Sequence, residues 1–356
     1  MVTAPPTCTV TLALCTRNNA NSLQATLGSL AACTLPTGWT GELLLVDNGS
    51  SDDTQAMMRA FRHPVLSVRI VEEPRAGLSR ARNAALHAAR GHVILFTDDD
   101  VHVPAQWIEH MSRPILYGDA DAVAGAVHLA PHLRRPWMTP LNTRVLAATQ
   151  NFTSDRYPRL VGANMALRHD VTADVPAFDP ELGPGALGFE EEVLFSDQLR
   201  AAGRRIVAAA DVSVEHHFRP DRLLHSSFAT TLQRMGESAG YVAHHWHHLP
   251  APALSTWAAL LRCRLMRAVY RRRRGTATAE GMRAAEQFWM RWYHYHRTRW
   301  ALRHTPRHYA RHGLVKLRGV LPEDPSSANE RGTSRGREVL TPHPDEVDAA
   351  RQPVGA

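Results

Sequence analysis

The sequence predicts an α/β fold, a largely parallel sheet covered by helices, with a helical C-terminal extension. Short, continuously apolar Val/Ile/Leu runs alternate with helical patterns through the first 220 residues, the pattern of strands buried on both faces. Polar residues collect where those runs end, at Thr16-Arg17-Asn18, Asp47-Asn48-Gly49 and Asp98 to Asp100. In such sheets the ligand crevice lies at the carboxyl ends of the strands.

Taken in order, Thr9–Cys15 (TVTLALC) reads as a buried strand and Asn21–Leu30 as the helix after it. Glu42–Asp47 (ELLLVD) is a second strand, followed by a helix over Asp52–Arg62 with Ser50 or Ser51 as N-cap. Leu66–Val71 is a third strand, and Leu78–Ala89 a helix ended by Gly91. His92–Phe96 (HVILF) is a fourth strand. Further on, Ala122–Leu129 and Leu160–Leu167 read as strands, and Glu191–Ala202 as a helix ended by Gly203. Ile206–Ala209 and Val212–Val214 then lead to His216 and His217. The stretch from Pro131 to Arg159 reads as a variable loop, and from Leu321 the composition reads as a disordered tail.

With 356 residues, 44% of them hydrophobic, the chain can bury a sizeable core. Ala251 to Leu261, an apolar stretch that runs into Arg262, is too short to span a bilayer. MVTAPPTCTV lacks the charged and apolar regions of a secretory signal, so a cytoplasmic location is expected. Cys8, Cys15, Cys33 and Cys263 show neither CxxC pairing nor metal-ligand spacing and read as small hydrophobes. The net charge of +7 is unevenly spread: residues 251–319 hold fifteen arginines and Lys316 against Glu280 and Glu286, a surplus of +14 that leaves the rest at −7. One segment is an electrostatic attachment candidate, and the acidic motifs lie elsewhere.

The sharpest local signal is Asp98-Asp99-Asp100 at the exit of HVILF. Three successive carboxylates repel one another unless a positive group lies between them, and Mg²⁺ or Mn²⁺ is a natural partner. In an extended turn Asp98 and Asp100 face one side while Asp99 points elsewhere. Asp47 ends its strand similarly and could accept a hydrogen from a nucleobase imide or ribose hydroxyl. Arg75, Arg80 and Arg82 surround the start of a helix, an arrangement suited to phosphate. Glu190, Glu191 and Glu192 open another helix, where the macrodipole alone favours acids, but one of them could serve as general base. His216 and His217 could add an imidazole to a metal or phosphate.

The order of these motifs is more specific than any one of them. LALCTRN, LLLVDNGSSDDT, PRAGLSRARNAAL, ILFTDDD, VGANMALRHDV, GFEEEVLFSDQLRAAGRRI and VEHHF, over about residues 9–220, closely resemble the family 2 glycosyltransferases of the GT-A fold. The resemblance implies a Rossmann-like catalytic domain over 1–220, its nucleotide-binding half reaching about residue 100 and its acceptor half the remainder, followed by a basic helical extension over 221–320 and a tail over 321–356. It also implies an inverting transfer from a nucleotide-diphosphate sugar to an acceptor hydroxyl, in cell-surface polysaccharide or glycolipid synthesis. Carried over, Thr16 and Asp47 would hold nucleobase and ribose with Arg17 or Asn18 nearby, and Arg82 and Asn83 would lie toward the diphosphate. Asp98 and Asp100 match the DxD that holds Mn²⁺ or Mg²⁺, with Asp99 beside the donor and His216 closing the site as a further ligand. Gly162 and Asn164 match the motif that faces the donor sugar. Glu191 and Glu192 match an acidic pair, usually Glu-Asp, whose second member is the base; here that member is a glutamate, which leaves the assignment between the two open.

The expected donor is a UDP- or dTDP-sugar, with a GDP-sugar as a further option, and the expected acceptor a glycan or lipid-linked saccharide. No nucleic-acid motif accompanies the basic segment, so no nucleic acid is expected. Leu254, Trp257, Leu261 and Leu265 recur at helical spacing among arginines, and Met282–Trp300 reads as an aromatic second helix. These helices either pack on the catalytic domain or attach peripherally to an anionic membrane on the inner face of the cell. His244, His245, His247 and His248 carry no functional expectation. A sugar nucleotidyltransferase would place a Gly-rich basic loop where Cys15-Thr16-Arg17-Asn18 stands, and a dinucleotide oxidoreductase a GxGxxG. A non-catalytic, membrane-associated relative is the remaining alternative.

Overall fold

The computed structural model describes residues 9–146, 158–271, 282, 284–311 and 313. Within them eight strands form one sheet: β1 (Thr9–Thr16), β2 (Thr40–Asp47), β3 (Ser67–Glu72), β4 (Val93–Asp98), β5 (Val101–His102), β6 (Ala122–Leu129), β7 (Met165–Arg168) and β8 (Ile206–His216). Their order is β3-β2-β1-β4-β7-β6-β8-β5. The first four are parallel, β7 runs antiparallel to both β4 and β6, and β8 is parallel to β6. The α-helices among the described residues are α1 (Ala20–Ala31), α2 (Thr54–Ala60), α3 (Leu78–Ala88), α4 (Trp107–Leu116), α5 (Pro140–Val145), α6 (Glu191–Ala201), α7 (His225–His245), α8 (Ala253–Arg271) and α9 (Ala284–Leu302).

The continuous apolar strands follow from a sheet covered on both faces. Leu12 and Leu14 of β1 join Leu43 and Leu45 of β2 in one core, with Leu23, Leu27 and Leu30 of α1 and Trp107, Ile108 and Met111 of α4. Ala13 and Cys15, one residue out of phase, join Leu44, Val46, Ile94 and Phe96 in the other, under Ala81 and Ala85 of α3 and Phe195 and Leu199 of α6. The parallel register sets Thr16 beside Asp47 and Cys15 beside Asp98, so three strand exits open at one edge. On the far side Val101 of β5 pairs with His216 of β8, which draws the end of β8 toward the acidic turn.

Several expectations shift. The helix expected over Asp52–Arg62 is only Thr54–Ala60, because Ser50 bonds to Asp47 and Ser51 to Asn18 rather than capping it. The strand expected over Leu160–Leu167 begins at Met165, since Asn164 N–H turns back to the Val161 carbonyl. Ile206–Ala209 and Val212–Val214 are one strand, β8, whose register shifts opposite Gly125 and Ala126. Helix α4 was not expected, although Trp107, Ile108, Met111 and Ile115 lie at helical spacing; Pro114 inside it obscures the pattern. The loop after Pro131 contains α5, closed by a Thr139–Asn142 capping box. Cys15, Cys33 and Cys263 are buried free thiols; Cys8, much of the 131–159 loop (147–157) and the tail lie outside the described residues.

The extension is tied to the sheet domain by polar knots. Asp179, buried in the connection between β7 and α6, accepts hydrogen bonds from Tyr241 and Trp246 at the end of α7 and from Tyr309 beyond α9. Helix α9 approaches α7 closely because Gly236 and Gly240 have no side chain: a Cβ on Gly236 would lie 2.2 Å from the Arg291 carbonyl. Helix α8 in turn packs on α9, with Arg262 over Trp289 and Arg267 over Tyr293. Leu254, Trp257, Leu261 and Leu265 do not form that packed face; they point to solvent. No helix among the described residues is long and apolar enough to cross a membrane.

The segment after α9 packs against α7 through imidazoles, His245 stacking on His308 at 4.0 Å and accepting the His308 backbone N–H. Burial, with the neighbouring His308, holds the His245 pKa down at about 3. An unfolded histidine titrates at about 6.5, so the unfolded chain takes up this proton first as pH falls. Stability from this contact is present above about pH 6.5 and lost progressively on acidification toward pH 3. The thermal midpoint should therefore fall between pH 7 and pH 5, and His245→Asn should flatten that slope; parallel slopes in the two proteins would contradict it.

Candidate active site

One guanidinium gathers the acidic residues. Arg82, on the inner face of α3, is 2% exposed, and its Nη1 lies 3.1 Å from Glu191 Oε1 and 3.2 Å from Glu192 Oε1. Its Nη2 lies 3.2 Å from Asp98 Oδ1. Burial opposes its charge, yet the carboxylates of Glu192, Asp98 and Glu191 hold its pKa above the usual arginine value. Gly162 makes this possible: a Cβ there would lie 1.8 Å from Arg82 Nη2, and the Gly162 N–H itself donates to Glu192 Oε1 at 3.1 Å. The strand exits and the N-terminus of α6 thus share one site.

The two glutamates differ sharply. Glu191 is 3% exposed with Oε2 lacking a hydrogen-bond partner, and burial, then the charge of Glu192, pushes its pKa well up. Glu192 is 20% exposed, and its Oε1 accepts from Arg82 and Gly162. Glu190 adopts the left-handed region at φ 76° to bring both into place.

At the acidic turn, Asp99 faces the scaffold, accepting from the Thr16 hydroxyl at 2.5 Å and the Asn19 amide at 2.7 Å. Burial outweighs those bonds and raises its pKa to about 7. Asp100 faces the other way, its Oδ2 3.3 Å from His216 Nε2. His216 Nδ1 donates to the Leu146 carbonyl at 3.2 Å, which turns Nε2 toward Asp100. Burial works to raise the Asp100 pKa, but the bond from His216 and the nearby Arg222 charge bring it below the usual carboxylate value. An imidazole nitrogen aimed at a carboxylate must share a proton or a cation with it. The donor set, two carboxylates and one imidazole oriented through its second nitrogen, is chemistry that fits Mg²⁺ or Mn²⁺. Among the described residues it does not form a closed cage: Asp100 and His216 meet, while Asp98 is turned to Arg82.

Other expected residues have other partners. Arg82 is an internal counter-ion here and not an exposed phosphate clamp. Asn83 exchanges two hydrogen bonds with the Phe178 backbone. Asn164, fully buried, accepts from Trp107 Nε1 and donates to the Ala126 and Val212 carbonyls, so its amide is saturated by the scaffold. Asp47 accepts from the Ser50 N–H and from Gln55, and is 2% exposed. Thr16 is spent on Asp99, whereas Arg17 and Asn18 are exposed at the mouth, Asn18 at φ 49° with its side chain on Ser51. Sequence reasoning passed over Arg222, whose Nη1 is 3.5 Å from His216 Nε2 and whose guanidinium lies over the Phe218 ring at 5.0 Å. Nothing local in the sequence marks it, since its place beside His216 depends on the return of β8 to the acidic turn. It also passed over Asn48, which bonds the Glu73 and Arg75 carbonyls and the Gly77 N–H and so fixes the loop entering α3.

The family model described as "Glycosyl transferase family 2" matches residues 11–175, the span that holds Asp47, Arg82, Asp98 to Asp100 and Gly162. This segment belongs to glycosyl transferase family 2. Among curated relatives, the glycosyltransferase AglE of Haloferax volcanii is 26% identical over 211 residues, 57% of this chain and 65% of that protein. Glycosyltransferase GlyG of Streptococcus pneumoniae is 33% identical over 85 residues, 24% of this chain and 28% of the relative. The chain therefore spans less than two thirds of these relatives' lengths. Among solved structures, the mannosyltransferase PcManGT of Pyrobaculum calidifontis, in complex with GDP-Man and Mn²⁺, superposes with a TM-score of 0.54 at 17% identity, covering 83% of this chain and 86% of that one. The fold is GT-A, a mixed α/β sheet flanked by helices.

Gly162→Ala should displace the Arg82 guanidinium. The expected cost is about 1–3 kcal/mol of stability from overpacking and roughly a hundred-fold in turnover from misplaced groups. Urea unfolding and a transfer assay measure the two; a variant as stable and active as the parent would mean that Gly162 does not seat Arg82.

Proposed function

We propose that this chain is an inverting, metal-dependent glycosyltransferase that moves a sugar from a nucleotide diphosphate to an acceptor hydroxyl. The observation that carries the reading is the convergence of Asp98, Glu191 and Glu192 on buried Arg82 at the carboxyl ends of a parallel sheet. Glu192 is the proposed base, because it is the accessible member of the pair and Gly162 orients it. Glu191 is the buried member, and its raised pKa favours the neutral form that lets two carboxyls share one guanidinium.

Asp98, Asp100 and His216 would hold Mn²⁺ or Mg²⁺, which when bound supplies positive charge to the leaving diphosphate. Arg222, beside Asp100 and His216, adds a guanidinium on the same side. Thr16, Asp47, Arg17 and Asn18 line the strand exits where nucleobase and ribose would lie. UDP- or dTDP-sugars are the favoured donors, a GDP-sugar the alternative, and the acceptor is a glycan or lipid-linked saccharide of cell-surface polysaccharide or glycolipid synthesis. The catalytic unit covers 1–220 in this reading. A nucleotidyltransferase is disfavoured because β1 leads out through Cys15-Thr16 into Arg17-Asn18, without a Gly-rich basic loop.

Glu192→Gln should lower transfer by about a hundred- to ten-thousand-fold with donor affinity nearly unchanged, while Glu191→Gln, which mimics a neutral acid, should retain most activity. The reverse pattern in single-turnover assays would move the base to Glu191. In donor titrations with and without Mn²⁺, Asp100→Ala should abolish the metal-dependent gain in affinity. An unaltered gain would remove Asp100 from the metal site.

A further inference from the structure

The proposed enzyme leaves one prominent surface unused. Of the large hydrophobic side chains exposed among the described residues, five lie on α8: Leu254 at 79%, Trp257 at 54%, Leu261 at 42%, Leu265 at 60% and Val269 at 55%. Their spacing of three and four residues puts them on one side of the helix. The buried side is opposite, at Thr256 and Cys263. Exposed Ala258 and Ala268 extend the outward stripe, and exposed Arg262 and Arg264 border it on its two flanks. Helix α8 contains no acidic residue and ends at Arg271, and Arg272 to Arg274 follow in the sequence. At 1.5 Å per residue the stripe runs for about 22 Å.

We infer that this face of α8 seats the protein on an anionic lipid bilayer, apolar side chains in the interface and arginines against the head groups. Charge complementarity selects the occupant. A second copy of α8 laid on the first would bring one Arg-bordered stripe against another, with no carboxylate on either helix to offset the repulsion. A lipid surface offers apolar depth and negative charge together, which is what a helix lying in the interface plane uses. The inference deepens the proposed function, because a lipid-linked acceptor is reached at such a surface, but its test is independent of turnover.

The test is sedimentation of the full chain with vesicles of phosphatidylcholine alone or with about 30% phosphatidylglycerol, alongside Leu261→Glu/Leu265→Glu. The wild type should bind the anionic vesicles and release them in about 0.5 M salt, and binding should weaken about tenfold or more both in the neutral vesicles and in the variant. The variant should keep its circular dichroism and its hydrolysis of a nucleotide-sugar in solution, since both positions are exposed and outside the site. Absent wild-type binding, or equal binding by the variant, overturns the inference. So does a wild-type dimer by light scattering that the variant makes monomeric, which would assign the face to a second copy. Vesicle binding without any sugar-nucleotide turnover would instead leave the docking surface standing and count against the catalytic reading.

Discussion

The structure depends on one buried positive charge. Arg82 is almost wholly removed from solvent, and three carboxyl groups from two other elements meet it. A guanidinium in that position is tolerable only with its partners in place, and removing one side of such a buried set typically costs about 3–5 kcal/mol. The same constraint works in reverse on the acids. Glu191 and Glu192 are adjacent in sequence at the start of α6, Asp98 ends β4, and without Arg82 their mutual repulsion would oppose the closing of α6 onto the sheet. The ion cluster is thus both the latch between α6 and the end of β4 and the place where the proposed base and a proposed metal ligand come within reach of one another.

The ladder supplies the rest of the geometry. Parallel pairing of β1 with β2 and β4 delivers Thr16, Asp47 and Asp98 to one edge, and the short β5–β8 pairing brings His216 back to Asp100. Side chains that hold this edge in shape are themselves polar and buried. Asn164 bonds Trp107 and two carbonyls across the sheet, Asn48 ties the end of β2 to the loop entering α3, and Asn83 fixes the loop before Asp179. These amides are spent on the backbone, so their role is to position the groups that face solvent.

Much of this was legible in the sequence. The first four strands, the acidic turn and the opening of α6 were readable because each is a local pattern: an apolar run, a carboxylate triplet, a helix start. The direction of Asp99 away from Asp100 followed from backbone alternation alone. What was not legible depends on partners distant in the chain. Arg82 resembles any surface arginine until Gly162 and Glu192 are seen against it. Arg222 gives no signal without the return of β8, and Asn83 and Asn164 look like ligand-facing amides until their carbonyl partners appear. The extension shows the same limit, since the periodicity of Leu254, Trp257, Leu261 and Leu265 predicted a helix but could not say which face packs on α9. The dimensions of α2 and β7 were misjudged where serines and a turn compete with regular structure for the same hydrogen bonds.

The central claim is that Arg82 and the carboxylates it gathers form one energetic unit. A double-mutant cycle with Arg82→Met, Glu192→Gln and the pair, read by chemical unfolding of the full chain, measures it. Coupling of about 1–3 kcal/mol is predicted, because Glu192→Gln takes a carboxylate from the guanidinium and Arg82→Met leaves that carboxylate without its counter-charge. Additivity within about 0.5 kcal/mol would contradict it and leave the site without its organising charge.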